Sequence, residues 1–212
     1  MARMTVGERR EALIEAAHQV IADHGVEGAT TRRVCAQAQM PLASFHYAFE
    51  SRMALLAAVI DQGIPRDLLS LADEIRENTP ADGLRGVERE VTESLQNLYN
   101  LMVVDSGRLQ ATVSLALYSH NNPELREAGR QMWNRLCAIA ATTLASIAGQ
   151  HGTAWIVDPD DLGPLLIAAT NAITMTFLTT GDPTTTQHVV DGTVRWMMSY
   201  AVLDSIAEPA TG

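Results

Sequence analysis

The sequence has no lysine and little cysteine. All 15 basic residues of the 212-residue chain are arginines. The two cysteines, Cys35 and Cys137, form no Cys-x-x-Cys pair, which excludes a small secreted scaffold framed by disulfides. The N-terminal segment carries charges at residues 8–11, where a signal peptide needs an unbroken apolar stretch. We therefore expect a reducing compartment, the cytoplasm.

Motifs of enzymes and metal sites are also missing. The sequence contains no Gly-rich phosphate loop, no Gly-x-Ser-x-Gly elbow and no paired catalytic carboxylates. Glu15 and His18 have the Glu-x-x-His spacing of helical di-iron proteins, but such a site needs a second copy and two more carboxylates. We therefore expect no enzyme, no cofactor and no metal, and a metal-dependent bundle enzyme stays as a minor alternative.

Long uncharged stretches are few. Residues 136–157 and 162–181 contain no charged side chain. Gly149–Gly152 interrupts the first, and Gly163, Pro164 and five threonines interrupt the second. We interpret both as buried helices and expect no membrane partner.

The charges are distributed unevenly along the chain. Residues 1–52 hold six arginines and six acids, whereas residues 53–212 hold nine arginines against 19 acids, a balance of −10. Such asymmetry indicates that the two parts meet different partners. Because phosphate binding needs local arginines and not a basic total, the N-terminal part is the candidate for nucleic-acid contact.

Apolar residues recur at three- and four-residue spacing along most of the chain, which predicts an all-α fold. We expect an N-terminal three-helix head over residues 1–52 and a helical body over residues 53–212. The predicted body helices are 66–77, 83–104, 108–120, 123–148, 160–180 and 184–206. The segment 153–158 is too short and isolated to make a sheet.

Residues 30–49, TTRRVCAQAQMPLASFHYAF, form the informative unit of the head. Thr30 and Thr31 can cap a short helix that ends near Ala38, and Pro41 opens a second helix through about Phe49. This is a helix-turn-helix, whose second helix lies in the major groove of DNA. We expect Phe45 and Phe49 to anchor the second helix. The outward side chains are then Leu42, Ala43, Ser44, His46 and Tyr47.

The segment from Leu13 to Leu55 resembles the tetracycline-repressor (TetR) family of transcriptional regulators. The matching features are Gly25 after an alanine-rich helix, the capping Thr31, the turn 38–40, the aromatic cluster 45–49 and the Ser51-Arg52 pair. The resemblance implies a dimeric, ligand-responsive repressor on a palindromic double-stranded DNA operator, released by a small apolar or amphipathic effector. The DNA-contacting residues are then Thr30, Thr31, Arg32, Leu42, Ala43, Ser44, His46, Tyr47 and Arg52.

Three residues depart from the family pattern. Gln39 replaces the usual turn glycine, which costs turn stability if the backbone there is left-handed. Leu42 stands where a polar or basic residue is common, and His46 stands where tyrosine is frequent. Gln39 and Leu42 favour an alternative, a helical small-molecule-binding protein with weak or lost DNA affinity.

The last two helices are apolar around most of their circumference, so both sides must be covered. A second copy can supply that cover, and we expect a homodimer through residues of about 160–180 and 184–206. Burial of both helices inside a monomer is the alternative.

Helical bundles place ligands between helices, among apolar side chains and a few polar ones. On this basis we expect an effector site lined by Tyr99, Met102, Tyr118, Trp133, Cys137, Asn171 and Met175. Each of these residues taken singly is more often plain core.

Overall fold

A computed structural model of the chain describes residues 4–62 and 81–204. The helices in these residues are α1 (Val6–Gly28), α2 (Thr31–Gln37), α3 (Leu42–His46), α4 (Arg52–Gln62), α5 (Gly83–Val104), α6 (Ser106–Asn121), α7 (Pro123–Gln150), α8 (Pro159–Thr180) and α9 (Pro183–Met198). Two short strands are β1 (Thr153–Trp155) and β2 (Ala201–Leu203). The predicted all-α class is confirmed, and the helix predicted at 66–77 lies outside the described residues.

The chain divides into two compact units. Of the described residues, the first unit contains 4–62 and 105–133, and the second contains 81–104 and 134–204. The division differs from the predicted boundary after residue 52, because α4 and α6 belong to the unit that holds the helix-turn-helix.

Side-chain caps set where several helices begin. At α1, the Glu8 backbone N–H donates to the Thr5 hydroxyl at 3.2 Å and the Thr5 backbone N–H donates to the Glu8 carboxylate at 2.7 Å. The backbone N–H and the hydroxyl of Thr5 both donate to the Glu8 carboxylate and hold the pKa of Glu8 below its usual value. Each cap satisfies a donor that has no partner inside the helix. Further caps are Thr30 for α2, Asp105 for α6, Asp158 for α8 and Asp182 for α9.

The core of the first unit lies where α1 packs on α2, α4 and α6. Its largest fully buried side chains are Leu13, Ile21, Phe45, Leu55, Leu56, Ile60, Leu115 and Leu125. Burial of each such side chain contributes about 1.5–3 kcal/mol of transfer free energy. α6 comes close to α1, since a Cβ on Gly107 would lie 2.8 Å from the Ala22 Cβ.

In the second unit, α5 packs on α8, α9 and both strands. Its fully buried side chains include Met102, Leu144, Leu162 and Ile173. Gly163 of α8 permits close packing on α7, because a Cβ there would lie 2.5 Å from the Cys137 carbonyl oxygen.

The two strands correct a prediction. β1 pairs antiparallel with β2, Ala154 lying opposite Val202, and the final helix ends at Met198 instead of continuing to 206. The expectation that 153–158 joins no sheet was therefore wrong. The partner strand lies almost 50 residues further along the chain, so local periodicity does not reveal the pairing.

Candidate nucleic-acid interface

The turn between α2 and α3 is tight. The Met40 N–H donates to the Cys35 carbonyl at 2.8 Å, and the Gln39 N–H donates to the Ala36 carbonyl at 3.1 Å. Gln39 has φ +54°, and no other non-glycine residue of the described chain has a positive φ. Gln39 therefore adopts the left-handed conformation for which a glycine is usual at this position of the turn.

Two aromatic side chains anchor α3. Phe45 is 0% exposed and Phe49 is 3% exposed, and their ring centroids are 5.7 Å apart. The predicted anchoring is confirmed. α3 itself is shorter than predicted, because it ends at His46, and residues 47 and 48 follow as a turn.

The opposite face of α3 is open to solvent. Tyr47 is 72% exposed and Leu42 is 41% exposed. Ala43 and His46 are also exposed, and Ser44 is half-buried. The helix thus presents a mixed apolar and polar surface that could contact base edges and phosphates.

α2 supplies the predicted threonines and Arg32. The Thr30 hydroxyl accepts from the Arg33 N–H at 3.3 Å, so the cap of α2 is Thr30 and not Thr31, the position that the TetR resemblance implied. Thr31 is half-buried, and Arg32 is exposed. The Arg33 guanidinium donates to the Gly28 carbonyl at 2.7 Å, which ties α2 back to α1.

Arg52 occupies a more enclosed position than the resemblance implied. Its guanidinium donates to the carbonyls of Ala29 at 2.9 Å and Val26 at 2.5 Å, and to the Tyr118 hydroxyl at 3.3 Å. Its side chain is 24% exposed. These contacts tether the start of α4 to α1 and α6, and the phosphate role of Arg52 stays a prediction.

Two further arginines near the interface are absent from the residues predicted from the sequence. The Arg10 guanidinium donates to the Ala48 carbonyl at 3.1 Å and lies 4.3 Å from the Phe49 ring centroid. Arg9 lies 5.8 Å from the Tyr47 ring centroid. The signal in the sequence was the adjacent Arg-Arg pair at the start of α1.

The residues predicted to line an effector site fall in both units. In the second unit, the Tyr99 and Phe177 rings meet edge to face with centroids 6.1 Å apart. Met102 is fully buried, and burial raises the pKa of the half-buried Cys137 thiol. Asn171 and Met175 are exposed on α8. In the first unit, Tyr118 contacts Arg52, and Trp133 is 39% exposed.

A buried polar pair in the second unit was also missed. His151 Nε2 lies 2.7 Å from Glu90 Oε1, and their side chains are 0% and 2% exposed. Because His151 Nδ1 accepts from the Asp82 N–H at 3.2 Å, the ring proton lies on Nε2 and is donated to Glu90. Gly86 makes room for the ring, since a Cβ there would lie 2.1 Å from Nδ1.

No group of three or more His, Cys, Asp or Glu side chains in residues 4–62 and 81–204 could hold a metal ion. Glu15 forms an ion pair with Arg108, and the neighbouring His18 is buried. Glu15 is thus paired within the first unit, and His18 is enclosed in the core of that unit.

Two short helices joined by a tight turn, with open side chains on the second, define the helix-turn-helix class of DNA-binding proteins. The family profile described as "Bacterial regulatory proteins, tetR family" matches residues 13–59. Over these residues the chain is similar to the tetR family, and the match covers the helix-turn-helix and most of α4. Regulators of this family bind DNA operators and small-molecule effectors and are typically dimers.

Three relatives illustrate the similarity. The HTH-type nicotine-responsive transcriptional repressor HdnoR of Paenarthrobacter nicotinovorans is 24% identical over 132 residues, which span 62% of this chain and 65% of that protein, less than two thirds of its length. A TetR-family regulator from a Rhodococcus species has a TM-score of 0.74 at 18% identity, covering 91% of this chain and 99% of that one. A regulator from Saccharomonospora viridis in complex with choline has a TM-score of 0.66 at 17% identity, covering 92% and 97%.

Proposed function

We propose that the protein is a transcriptional repressor that binds an operator through α2 and α3 and releases it when a small molecule binds. The observation that carries the proposal is the orientation of α3. Phe45 and Phe49 are buried, while Leu42, Ala43, His46 and Tyr47 face solvent. A helix held in this way can enter a major groove without unfolding its own core.

The side chains divide by chemistry between bases and phosphates. Arg32 is exposed and long enough to reach a guanine edge or a phosphate, and Leu42 can pack on a thymine methyl. Tyr47 suits a phosphate oxygen. Arg52, with its guanidinium on two carbonyls and a phenol, acts in this proposal as a tether that keeps α4 in place.

The effector class that we favour is a small amphipathic molecule that carries a positive charge. HdnoR is nicotine-responsive and the S. viridis regulator binds choline. Both compounds have a basic or quaternary nitrogen. The excess of 19 acids over nine arginines in residues 53–212 favours the approach of such a cation.

The assembly that fits the proposal is a homodimer through α8 and α9. Beyond its acidic first turn, α8 has an exposed face that is free of charge. Its positions follow one another at helical spacing: Leu165, Ala168, Asn171, Ala172, Met175 and Thr179. A palindromic operator would be bound by two recognition helices about 34 Å apart, one turn of duplex. The cytoplasm is the compartment in which such a regulator meets DNA.

Within the described residues α8 is also the one helix long and apolar enough to cross a membrane, and 22% of its most apolar window is buried. Pro164 and a series of threonines interrupt this helix. We assign its open face to the partner subunit.

The test is a DNA-binding titration with the region upstream of the protein's own gene. We expect the wild type to bind this DNA with an affinity that falls steeply with salt, and Arg32→Ala with Tyr47→Ala to abolish the shift. Choline or nicotine should release the complex, and dimethylbutanol, the neutral carbon isostere of choline, should not. Absence of any DNA shift by the wild type would contradict the proposal.

A helical carrier without DNA affinity is the second candidate. It is favoured by the strained turn at Gln39 and by the apolar Leu42, which is 41% exposed at the start of α3. A carrier would bind the small cation equally well at any duplex concentration, and it would show no dependence of DNA binding on salt.

A further inference from the structure

The start of α1 lies against the end of the recognition segment in the first unit. The contacts are made by two consecutive arginines, each facing an aromatic ring of residues 45–49. Arg9 faces Tyr47 and Arg10 faces Phe49. Tyr47 is exposed and Phe49 is buried, whereas Arg9 is half-buried and Arg10 is exposed.

Arg10 is used within the fold. Its guanidinium stacks 4.3 Å from the centroid of Phe49, which is 3% exposed, and donates to the Ala48 carbonyl at 3.1 Å. A cation over an aromatic face and a hydrogen bond to the backbone together fix the distance between two segments. Arg10 thus holds the chain that follows α3 against α1.

Arg9 is half-buried and faces the exposed ring of Tyr47. Its guanidinium carbon lies 5.8 Å from the centroid of Tyr47, which is 72% exposed. In the part of the chain that the structure describes, Arg9 donates to the Met4 carbonyl at 3.3 Å. An arginine has five N–H donors, so most of them can still bind another group.

The acidic neighbour of Arg9 on α1 is engaged elsewhere. The preceding residue, Glu8, accepts from the backbone N–H and the hydroxyl of Thr5 at 2.7 and 2.9 Å. No ion pair of Arg9 is present among residues 4–62 and 81–204. A guanidinium without an ion pair, beside an exposed phenol, supplies donors suited to one phosphate group.

We propose that Arg9 extends the DNA-contacting surface onto α1, where its guanidinium and the Tyr47 hydroxyl bind the same backbone phosphate, and that Arg10 is the positioning residue for this pair. The inference rests on the proposed function, since the phosphate belongs to the operator. It adds a contact outside the helix-turn-helix itself.

The test compares salt dependence of DNA binding for the full-length protein. Two duplexes are used, a fragment of the gene's own upstream region and a 30-base-pair duplex of unrelated sequence. The variants are Arg9→Gln, Arg9→Lys, Arg10→Gln and Tyr47→Phe. The matched control is Arg85→Gln, which removes one charge from an exposed position of α5. Thermal unfolding and sedimentation check that each variant is folded and assembled.

The slope of log K against log salt is negative, and each lost phosphate contact makes it less steep by about 0.9. The affinity near 0.1 M salt falls roughly tenfold for each head that loses the contact. We expect this result for Arg9→Gln on both duplexes, and a slope near wild type for Arg9→Lys. Arg10→Gln and Tyr47→Phe should lower the operator affinity with the slope unchanged, and Arg85→Gln should change neither quantity.

A wild-type slope in Arg9→Gln overturns the inference while leaving the proposed function intact. A wild type that shows no salt-dependent binding to either duplex overturns the proposed function, and the inference with it.

Discussion

At the scale of single residues, Gln39 is in a backbone conformation that glycine adopts more easily. Its φ of +54° brings the Cβ close to the following carbonyl oxygen. We expect Gln39→Gly to raise the free energy of unfolding by about 0.5–1 kcal/mol, the relief of strain outweighing the greater flexibility of glycine when unfolded. Urea denaturation measures the change.

The matched control for this turn is Gln37→Gly at the end of α2. There the backbone is helical, so glycine should destabilise by up to about 1 kcal/mol. Equal destabilisation by both substitutions would show that the turn at Gln39 is not strained.

His18 links the stability of the protein to pH. The side chain is 5% exposed, and its Nδ1 has no hydrogen-bond partner. Burial, and then the charge of Arg108, hold the pKa of His18 below its ordinary 6.5, against smaller opposing effects of Glu15 and Asp105. Below about pH 6.5 the unfolded chain therefore binds a proton that the folded chain does not.

The stabilising contribution of neutral His18 is complete above pH 6.5 and declines as the pH falls. The decline cannot exceed about 1.4 kcal/mol per pH unit for one proton. Urea denaturation between pH 5 and 8 should show a shallower pH dependence in His18→Leu than in the wild type. His24→Gln, at an exposed position of α1, is the control. An unchanged profile in His18→Leu would refute the linkage.

At the scale of elements, the Glu90–His151 pair joins α5 to the end of α7. Glu90 Oε2 has no partner, so His151 is the main support of a buried carboxylate. We expect His151→Ala to cost about 3–5 kcal/mol, because it leaves the carboxylate buried without a donor. Thermal and urea unfolding measure this loss.

Replacement of both members gives the contrasting result for this pair. In Glu90→Leu with His151→Leu no charge is buried, and the double variant should be clearly more stable than His151→Ala. If the double variant were the less stable of the two, the pair would be a net source of stability and the argument from desolvation would be wrong.

Sequence periodicity predicted where the helices begin and end, but it did not predict which segments contact one another. The span expected at 83–104 is the observed α5, and 160–180 differs from α8 by one residue. Apolar spacing, together with Asp, Gly and Pro at helix ends, acts within one or two helical turns. The bounds of a helix can therefore be predicted from a short stretch of sequence. The pairing of β1 with β2 and the meeting of Glu90 with His151 join residues about 50 or 60 positions apart, and no local signal announces them.

At the scale of the whole molecule, the uncharged exposed face of α8 predicts the assembly. Leu165 is 42% exposed and Met175 is 47% exposed. We expect Met175→Glu to convert a dimer into a monomer, since it would place a carboxylate in a desolvated interface. Analytical ultracentrifugation at several concentrations measures the association.

The control makes the same chemical change elsewhere. Leu117 of α6 is 67% exposed, and Leu117→Glu should leave the association unchanged. The prediction would be contradicted if Met175→Glu remained a dimer, or if the wild type bound lipid vesicles through α8. Something other than a second copy would then cover this face.

By itself the sequence determined the helical class, the helix-turn-helix of residues 30–49 and the anchoring of its second helix by Phe45 and Phe49. Each of these depends on caps, turn residues and spacing that operate over a few positions. Only the tertiary structure decided the engagement of Arg52 within the fold, the exposure of Asn171 and Met175, and the meeting of Arg9 with Tyr47. These contacts and exposures arise from packing between segments that are distant in the chain. Such packing decides the neighbours of a side chain, whatever the sequence pattern around that residue.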